Sequence, residues 1–355
     1  MPDRASPHMQ AMLLAGHGGV DRLIASEVPI PTAGPGEVLV RLGGAAVNNT
    51  DINLRVGWYS KSVVEATEAT SHGEADTRDA GWAGNALHFP RIQGADGVGH
   101  IVAVGAGVRA ERIGSRVIID PILRSGSTVQ YFGSDTPGSF AQYTCVPDSN
   151  AVTIHSHWSD PELATCPCSS LAALHLISRA QVQAGQRVLI TGASGGVGTA
   201  ALQWAVARGA EVTAIADASK SAALETLGAA AVLPRYQGVS QVFGESAFDA
   251  VIDVVGGPAF PDLLIALRPH GHYATAGAIA GPVVELDLRT VYLKDLTLHG
   301  CTIPPTGMFA DLVRAIEDGT LRPLVAATYH LSDLGAAQQE FLLKRHVGKI
   351  ALSID

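Results

Sequence analysis

The run Leu189-Ile190-Thr191-Gly192-Ala193-Ser194-Gly195-Gly196-Val197-Gly198 sets four glycines among small residues directly behind an apolar strand pattern. At a strand-to-helix turn, small residues let backbone approach a pyrophosphate, and the amides of the first helical turn then face its oxygens. The fingerprint reads Ala-x-Gly-x-x-Gly over 193–198, with Ala193 where a glycine often stands. The strand before and the helix after make it a dinucleotide-binding turn, with Ala193, Ser194, Gly195, Gly196, Val197 and Gly198 against the cofactor. Asp217 lies 19 residues beyond Gly198, at the end of the next strand pattern. A carboxylate there accepts from an adenosine 2′-hydroxyl and repels a 2′-phosphate, which points to NADH. Ser219 and Lys220 follow at once and can clamp a 2′-phosphate, which points to NADPH. Both cofactors stay open, and Asp217 or Ser219 also suits the cap of the next helix.

Metal-ligating residue types are sparse. Four cysteines (Cys145, Cys166, Cys168 and Cys301) are too few for a disulfide framework and fit a reducing compartment. His155/His157 and His270/His272 are close pairs without an adjacent third ligand, as surface loops give. With 24 Lys and Arg against 33 Asp and Glu, the net charge is −9 and no basic run stands out. Such a chain is a poor match for a nucleic-acid backbone. Residues 1–10 lack an apolar signal core. The uncharged stretch 188–207 is long enough for a bilayer, but the glycine turn accounts for it better. The expectation is a cytoplasmic protein with neither nucleic acid nor membrane as partner.

These residues need elements to hold them. A chain of 355 residues, 47% hydrophobic and 16% charged, can bury two sizeable cores. Up to about residue 160, short β-rich runs such as Glu37-Val38-Leu39-Val40-Arg41, His100-Ile101-Val102-Ala103-Val104 and Arg116-Val117-Ile118-Ile119 alternate with Gly/Pro punctuation, as antiparallel strands of a barrel do. Beyond it, strand and helix patterns alternate as parallel βαβ units. Near the C-terminus the first texture returns, so one domain is interrupted by another. The fold class is α/β, with a barrel domain over 1–165 and 305–355 and a doubly wound cofactor domain over 166–304. The Ala-, Glu- and Thr-rich segment 60–85, with Trp82 near its end, reads as a surface excursion or as a lid over a cleft.

Residues 29–40, Val47-Asn48-Asn49-Thr50-Asp51, residues 94–107, the 192–198 turn, Asp253-Val254-Val255-Gly256-Gly257, residues 296–300 and Gly348-Lys349 occur in an order that resembles the medium-chain dehydrogenase/reductase superfamily. The likeness covers most of the chain. It implies a GroES-like β-barrel catalytic domain, an inserted Rossmann domain and an active-site cleft between them. Asn48-x-x-Asp51 followed by Arg55-Val56-Gly57-Trp58-Tyr59 is similar to the pattern of the zinc-free quinone oxidoreductase-like branch. That likeness implies that Asn48 and Tyr59 line the substrate pocket, that Gly277 passes beside the nicotinamide, and that Lys349 lies near the cofactor phosphates. The 60–85 segment departs from the branch as an insertion. Thr50 or Asp51 fits the cap of the helix that follows.

Zinc-dependent members of the superfamily carry Cys where this chain has Asn48 and His where it has Ala95; only Cys168 sits where a third ligand would. An amide, a methyl and one thiol do not build a tetrahedral zinc site. No cysteine lies between Gly107 and Tyr143 to form a structural zinc lobe. No metal is therefore expected. Without a Lewis acid, hydride delivery to a simple ketone leaves charge on one oxygen unsupported. A quinone or an enone spreads that charge, so donors such as the Tyr59 hydroxyl and the Asn48 amide can suffice, each contributing about 2–4 kcal/mol when well aimed. The expected activity is zinc-independent hydride transfer from NADPH or NADH to a quinone or an α,β-unsaturated carbonyl. The alternatives are a non-catalytic nucleotide-binding protein of the same fold and, less favoured by the ligand positions, a zinc alcohol dehydrogenase. The resemblance further implies a homodimer that continues its sheet through residues 296–302.

Overall fold

Alternation of apolar and polar residues along Glu37–Ala46 sends Val38, Val40 and Leu42 to one buried face, where they meet Ile101, Val117, Ile119, Ile350 and Leu352. The computed structural model describes residues 7–70 and 78–355. Residues 1–6, part of the region read for a signal core, and 71–77, part of the 60–85 insertion, lie outside the described residues. The strand Glu37–Ala46 is the hub of a seven-stranded sheet in the order Ala151–Thr153, Arg116–Ile119, Gly97–Val104, Glu37–Ala46, Lys349–Ser353, Val325–His330. Tyr143–Pro147 also pairs with the hub strand. Antiparallel pairing of Lys349–Ser353 with the hub, Ala351 opposite Ala46, brings the end of the chain back beside its beginning.

The residues between form a second sheet of six strands, all parallel, in the order Ala231–Pro234, Glu211–Ala216, Arg187–Ile190, Phe248–Asp253, Leu267–Thr275, Thr297–Gly300. Val188, Leu189 and Ile190 are fully buried, as a strand covered on both faces requires. The chain starts this sheet at Arg187–Ile190, winds outward to one edge, and returns to Phe248–Asp253 on the other side. Its topological switch point therefore lies between those two strands, where ligands of such sheets bind. The 188–207 stretch is divided between a strand and the helix Gly196–Ala207. Among the described residues, no helix is long and apolar enough to cross a membrane. Thr297–Gly300 is one of the two edge strands, and Leu298 on it is exposed, as are Tyr292 and Leu293 just before it.

The barrel is closed by a tight approach. A Cβ on Gly44 would lie 2.4 Å from the Asp160 backbone, so only glycine lets the hub strand pass the helix Asp160–Leu163. Arg116 secures that helix through an ion pair with Asp160 at 2.6 Å. Gly44→Ala is expected to lower the unfolding free energy by about 2 kcal/mol, because the obstruction is backbone and cannot rotate away. Urea unfolding followed by tryptophan fluorescence measures this, and an unchanged midpoint would refute it.

Candidate active site

The strand Arg187–Ile190 delivers the glycine turn to the switch point. A Cβ on Gly198 would lie 2.2 Å from the Gly192 carbonyl oxygen, so the turn closes only because that side chain is absent. Ala193 is fully buried and donates from its amide to the Ile215 carbonyl at 3.1 Å, which fixes the turn against the neighbouring strand. Ser194, Gly195, Gly196 and Val197 lead into the helix Gly196–Ala207, whose first-turn amides are the unpaired donors a phosphate needs. Beneath the turn, Asp253 accepts from the Thr191 and Tyr273 hydroxyls and from the amides of Val255, at 2.9 Å, and Gly256, at 3.1 Å. Three strand ends are thereby held together at the switch point. Gly277 lies beside them, with room for its backbone only: a Cβ there would sit 2.9 Å from the Val254 carbonyl oxygen.

Asp217 caps the short turn that follows its strand, accepting from the Ser219 amide at 3.0 Å and hydroxyl at 2.6 Å. Those hydrogen bonds, with Arg235 nearby, hold its carboxyl below the usual range. Lys220 is buried and donates to the Ser194 hydroxyl at 3.1 Å and the Lys344 carbonyl at 2.6 Å. Lys344 reaches the Asn49 side chain at 3.0 Å, and burial pushes its ammonium down to about 8. Burial, together with the charges of Lys344, Lys220 and Lys349, pushes His346 down to about 4. A ring of basic side chains thus borders the turn, drawn from both halves of the chain. Arg235, Lys344 and His346 had no marking motif in the sequence.

Across the cleft, the helix Asn49–Val56 starts with a capping box. Asn48 is its N-cap, and the Asn48 amide donates to Asp51 at 2.8 Å. The cap expected at Thr50 or Asp51 is thus shifted: Asp51 closes the box as its third helical residue. Burial raises the Asp51 carboxyl to about 7. The Asn48 side chain donates from Nδ2 to Asp96 Oδ2 at 2.7 Å, and its Oδ1 accepts from Lys349 Nζ. Both ends of this amide are therefore engaged inside the protein. Lys349 also donates to Asp96 Oδ2 at 2.9 Å, while Asp96 Oδ1 accepts from the Cys168 amide at 2.7 Å. The Lys349 ammonium, expected near the cofactor phosphates, donates to this buried carboxylate, and its methylene stem lies against the turn at Gly196.

Tyr59 is half-buried, and burial pushes its phenol up to about 12 despite hydrogen bonds with Thr50 and Asn53. Tyr131, which the sequence reading passed over, lies with its hydroxyl 2.9 Å from Cys168 Sγ. Burial and the nearby Asp96 charge push the Cys168 thiol up to about 12 as well. Trp82, from the insertion, stacks on the Tyr131 ring with centroids 4.5 Å apart and 16° between planes. Earlier in the insertion, the Thr67 amide donates to the Ile279 carbonyl at 3.0 Å and its hydroxyl donates to Asn53 at 3.1 Å. The insertion therefore bridges both halves of the chain.

Two family descriptions match. Residues 34–156 match the alcohol dehydrogenase GroES-like domain, and residues 196–318 match the zinc-binding dehydrogenase family. Zinc does not fit the donors present. The side chains are an amide, a methyl and a protonated thiol, and the ammonium of Lys349 already holds the amide oxygen and Asp96. Among the described residues, no three His, Cys, Asp or Glu are grouped to hold a metal. The crystal structure of a provisionally described alcohol dehydrogenase from Sinorhizobium meliloti 1021 is 44% identical, with a TM-score of 0.88 over 99% of this chain and 98% of that one. A thermostable alcohol dehydrogenase from Pyrobaculum aerophilum, solved with cobalt and zinc, is 29% identical, with a TM-score of 0.82 over 98% of this chain and 100% of that one. The acryloyl-coenzyme A reductase of Metallosphaera sedula is 27% identical over 97% of this chain and 100% of its own length. With both domain types matched in order and the whole fold shared, the chain belongs to the medium-chain dehydrogenase/reductase superfamily, an NAD(P)H-dependent family.

Proposed function

We propose that this protein is a zinc-independent reductase acting on a carbon–carbon double bond conjugated to a carbonyl, or on a quinone. The observation that carries the reading is the donor set around Cys168. The phenols of Tyr59 and Tyr131 and the thiol itself are all held protonated by burial, and no Lewis acid has a place among them. Bound NAD(P)H supplies a hydride. When it reaches the β-carbon of an enone, the electron pair moves to the carbonyl oxygen as an enolate, which a hydrogen-bond donor must stabilise. Tyr59 serves as that donor: a phenol pushed up to about 12 stays protonated at neutral pH and can support an oxyanion. Proton delivery to the α-carbon then comes from Tyr59 or from water. Asn48, with its amide engaged by Asp96 and Lys349, acts as a positioning residue. Similarity to an acryloyl-coenzyme A reductase, whose substrate is a conjugated thioester by its name, supports the same class.

We further propose NADPH as the preferred cofactor. Asp217 is already bonded by Ser219 and faced by Arg235 at 3.6 Å, so its carboxylate is partly satisfied before a ribose arrives. Arg235 and Lys220 outnumber it, and a 2′-phosphate between them and Ser219 gains charge-assisted hydrogen bonds.

Tyr59→Phe is expected to reduce turnover of an enone by about 100-fold while leaving the cofactor dissociation constant unchanged. Steady-state kinetics with a fluorescence titration test this, and undiminished turnover removes Tyr59 from the reaction. Arg235→Ala is expected to weaken NADPH about tenfold and NADH hardly at all, a loss near ~1.4 kcal/mol. Equal weakening of both, or no weakening of either, overturns the preference. Lys344 carries its charge below a pH of about 8 and loses it above. Affinity for either cofactor is therefore expected to fall as pH rises through that value, and Lys344→Gln should flatten the profile; a wild-type profile already flat across this range would show that the ammonium does not assist.

A further inference from the structure

We propose that Lys349 is the built-in cation of this site. Its ammonium takes the place in which a metal would have to sit, and it is a positioning residue that joins the cofactor turn to Asn48 and Asp96. The inference deepens the zinc-independent reading and rests on it.

The case begins with Asp96, a fully buried carboxylate. Such a charge is tolerated only when it is paired and hydrogen-bonded. Asp96 accepts three hydrogen bonds: from the Cys168 amide at 2.7 Å, from Asn48 Nδ2 at 2.7 Å and from Lys349 Nζ at 2.9 Å. Lys349 supplies the one positive charge among them, and its side chain is 4% exposed, so water screens the pair very little. The same ammonium donates to Asn48 Oδ1. One cation thus fills the space between an amide oxygen and a carboxylate, and that carboxylate also accepts from the Cys168 amide. For a divalent ion to enter, the ammonium would have to leave and the thiol would have to lose its proton.

The stem of Lys349 provides the second half of the argument. A Cβ on Gly196 would lie 2.5 Å from Lys349 Cδ, so the first residue of the cofactor-binding helix is shaped around this side chain. One residue earlier, the Gly348 amide donates to the Ser194 carbonyl at 2.9 Å. The strand Lys349–Ser353 belongs to the barrel, and its first residue leans on the turn of the other domain while its charged end grips Asn48. The position of the turn and the position of Asn48 are therefore set by one side chain. A glycine explained in sequence by phosphate approach has a further reason to be glycine.

The test compares the full-length wild type with Lys349→Met, which keeps the stem and removes the charge, and with Lys349→Arg, which restores a charge. Each is titrated with Co²⁺ and read by the thiolate-to-cobalt absorption band. Each is also assayed with an enone for kcat and for the cofactor dissociation constant. The expected result is no cobalt band in the wild type and a band near one equivalent in Lys349→Met that Cys168→Ser abolishes. The expected kinetic result is a kcat at least tenfold lower in Lys349→Met with cofactor binding within about threefold, and partial recovery in Lys349→Arg. A Lys349→Met protein that binds no cobalt, or that keeps wild-type kcat, overturns the proposal while leaving a metal-free reductase intact. A wild type that takes up one equivalent of Co²⁺ through Cys168 and needs it for activity overturns the zinc-independent reading itself. Should Lys349→Met fail to fold, the double variant Asp96→Asn/Lys349→Met removes both charges; wild-type kcat in it would equally overturn the proposal.

Discussion

A carboxylate with no access to water is a demanding group, and the arrangement around Asp96 answers that demand. Breaking such a pair by removing one partner typically costs about 3–5 kcal/mol, because the charge left behind is unsolvated. Three separate parts of the chain are drawn in to satisfy it: the N-cap Asn48, the amide of Cys168 at the head of the helix Pro167–Arg179, and Lys349 at the last strand. One leads into the helix Asn49–Val56, one into the helix that packs against the cofactor domain, and one into the closing strand, while Asp96 itself leads into Gly97–Val104. Few rearrangements of one part leave the others undisturbed, so the relative placement of substrate pocket and cofactor turn follows from an electrostatic requirement.

The second constraint is topological. A doubly wound sheet leaves a crevice only where its winding reverses, and the glycine turn emerges there. Asp253 joins the strand ends on both sides of that reversal, which makes the floor of the crevice rigid through side-chain hydrogen bonds. The walls come from elsewhere: Lys344 and His346 arrive with the return of the chain to the barrel, and Lys220 and Arg235 come from the cofactor half. A ligand in this crevice would face side chains from both halves of the chain.

These two constraints also explain what the sequence revealed and what it concealed. The cofactor half was legible because strands buried on both faces read as apolar runs and because a phosphate turn needs its small residues contiguous. The barrel strands showed through their alternation, and the return of the chain showed as a change of texture. Hidden were contacts between residues far apart in sequence. Asn48 and Asp96 are 48 residues apart, and Asn48 and Lys349 are 301 apart. Asp96 was visible as the residue after Ala95 in a triplet lacking histidine, yet nothing local marked it as a charge needing a partner. Tyr131 sits in the ordinary-looking strand Thr128–Tyr131, and its hydroxyl acquires meaning only once Cys168 is placed opposite. Lys349 had a local motif, but the direction of a four-carbon side chain depends on which buried anion pulls on it.

The insertion after Tyr59 can be weighed on the same physical scale. Among the described residues, the Thr67 amide at Ile279 ties it to the cofactor half by a neutral backbone hydrogen bond, which contributes about 1 kcal/mol. Thr67 to Asn53, the Trp58 indole to the Glu65 carbonyl and Trp82 on Tyr131 lie on the barrel side. The stacked aromatic pair contributes a further amount of about 0.5–1.5 kcal/mol beyond its burial. The described part of the insertion is thus tied both to the half that carries Tyr59 and Tyr131 and to the half that carries the glycine turn, so its placement depends on both.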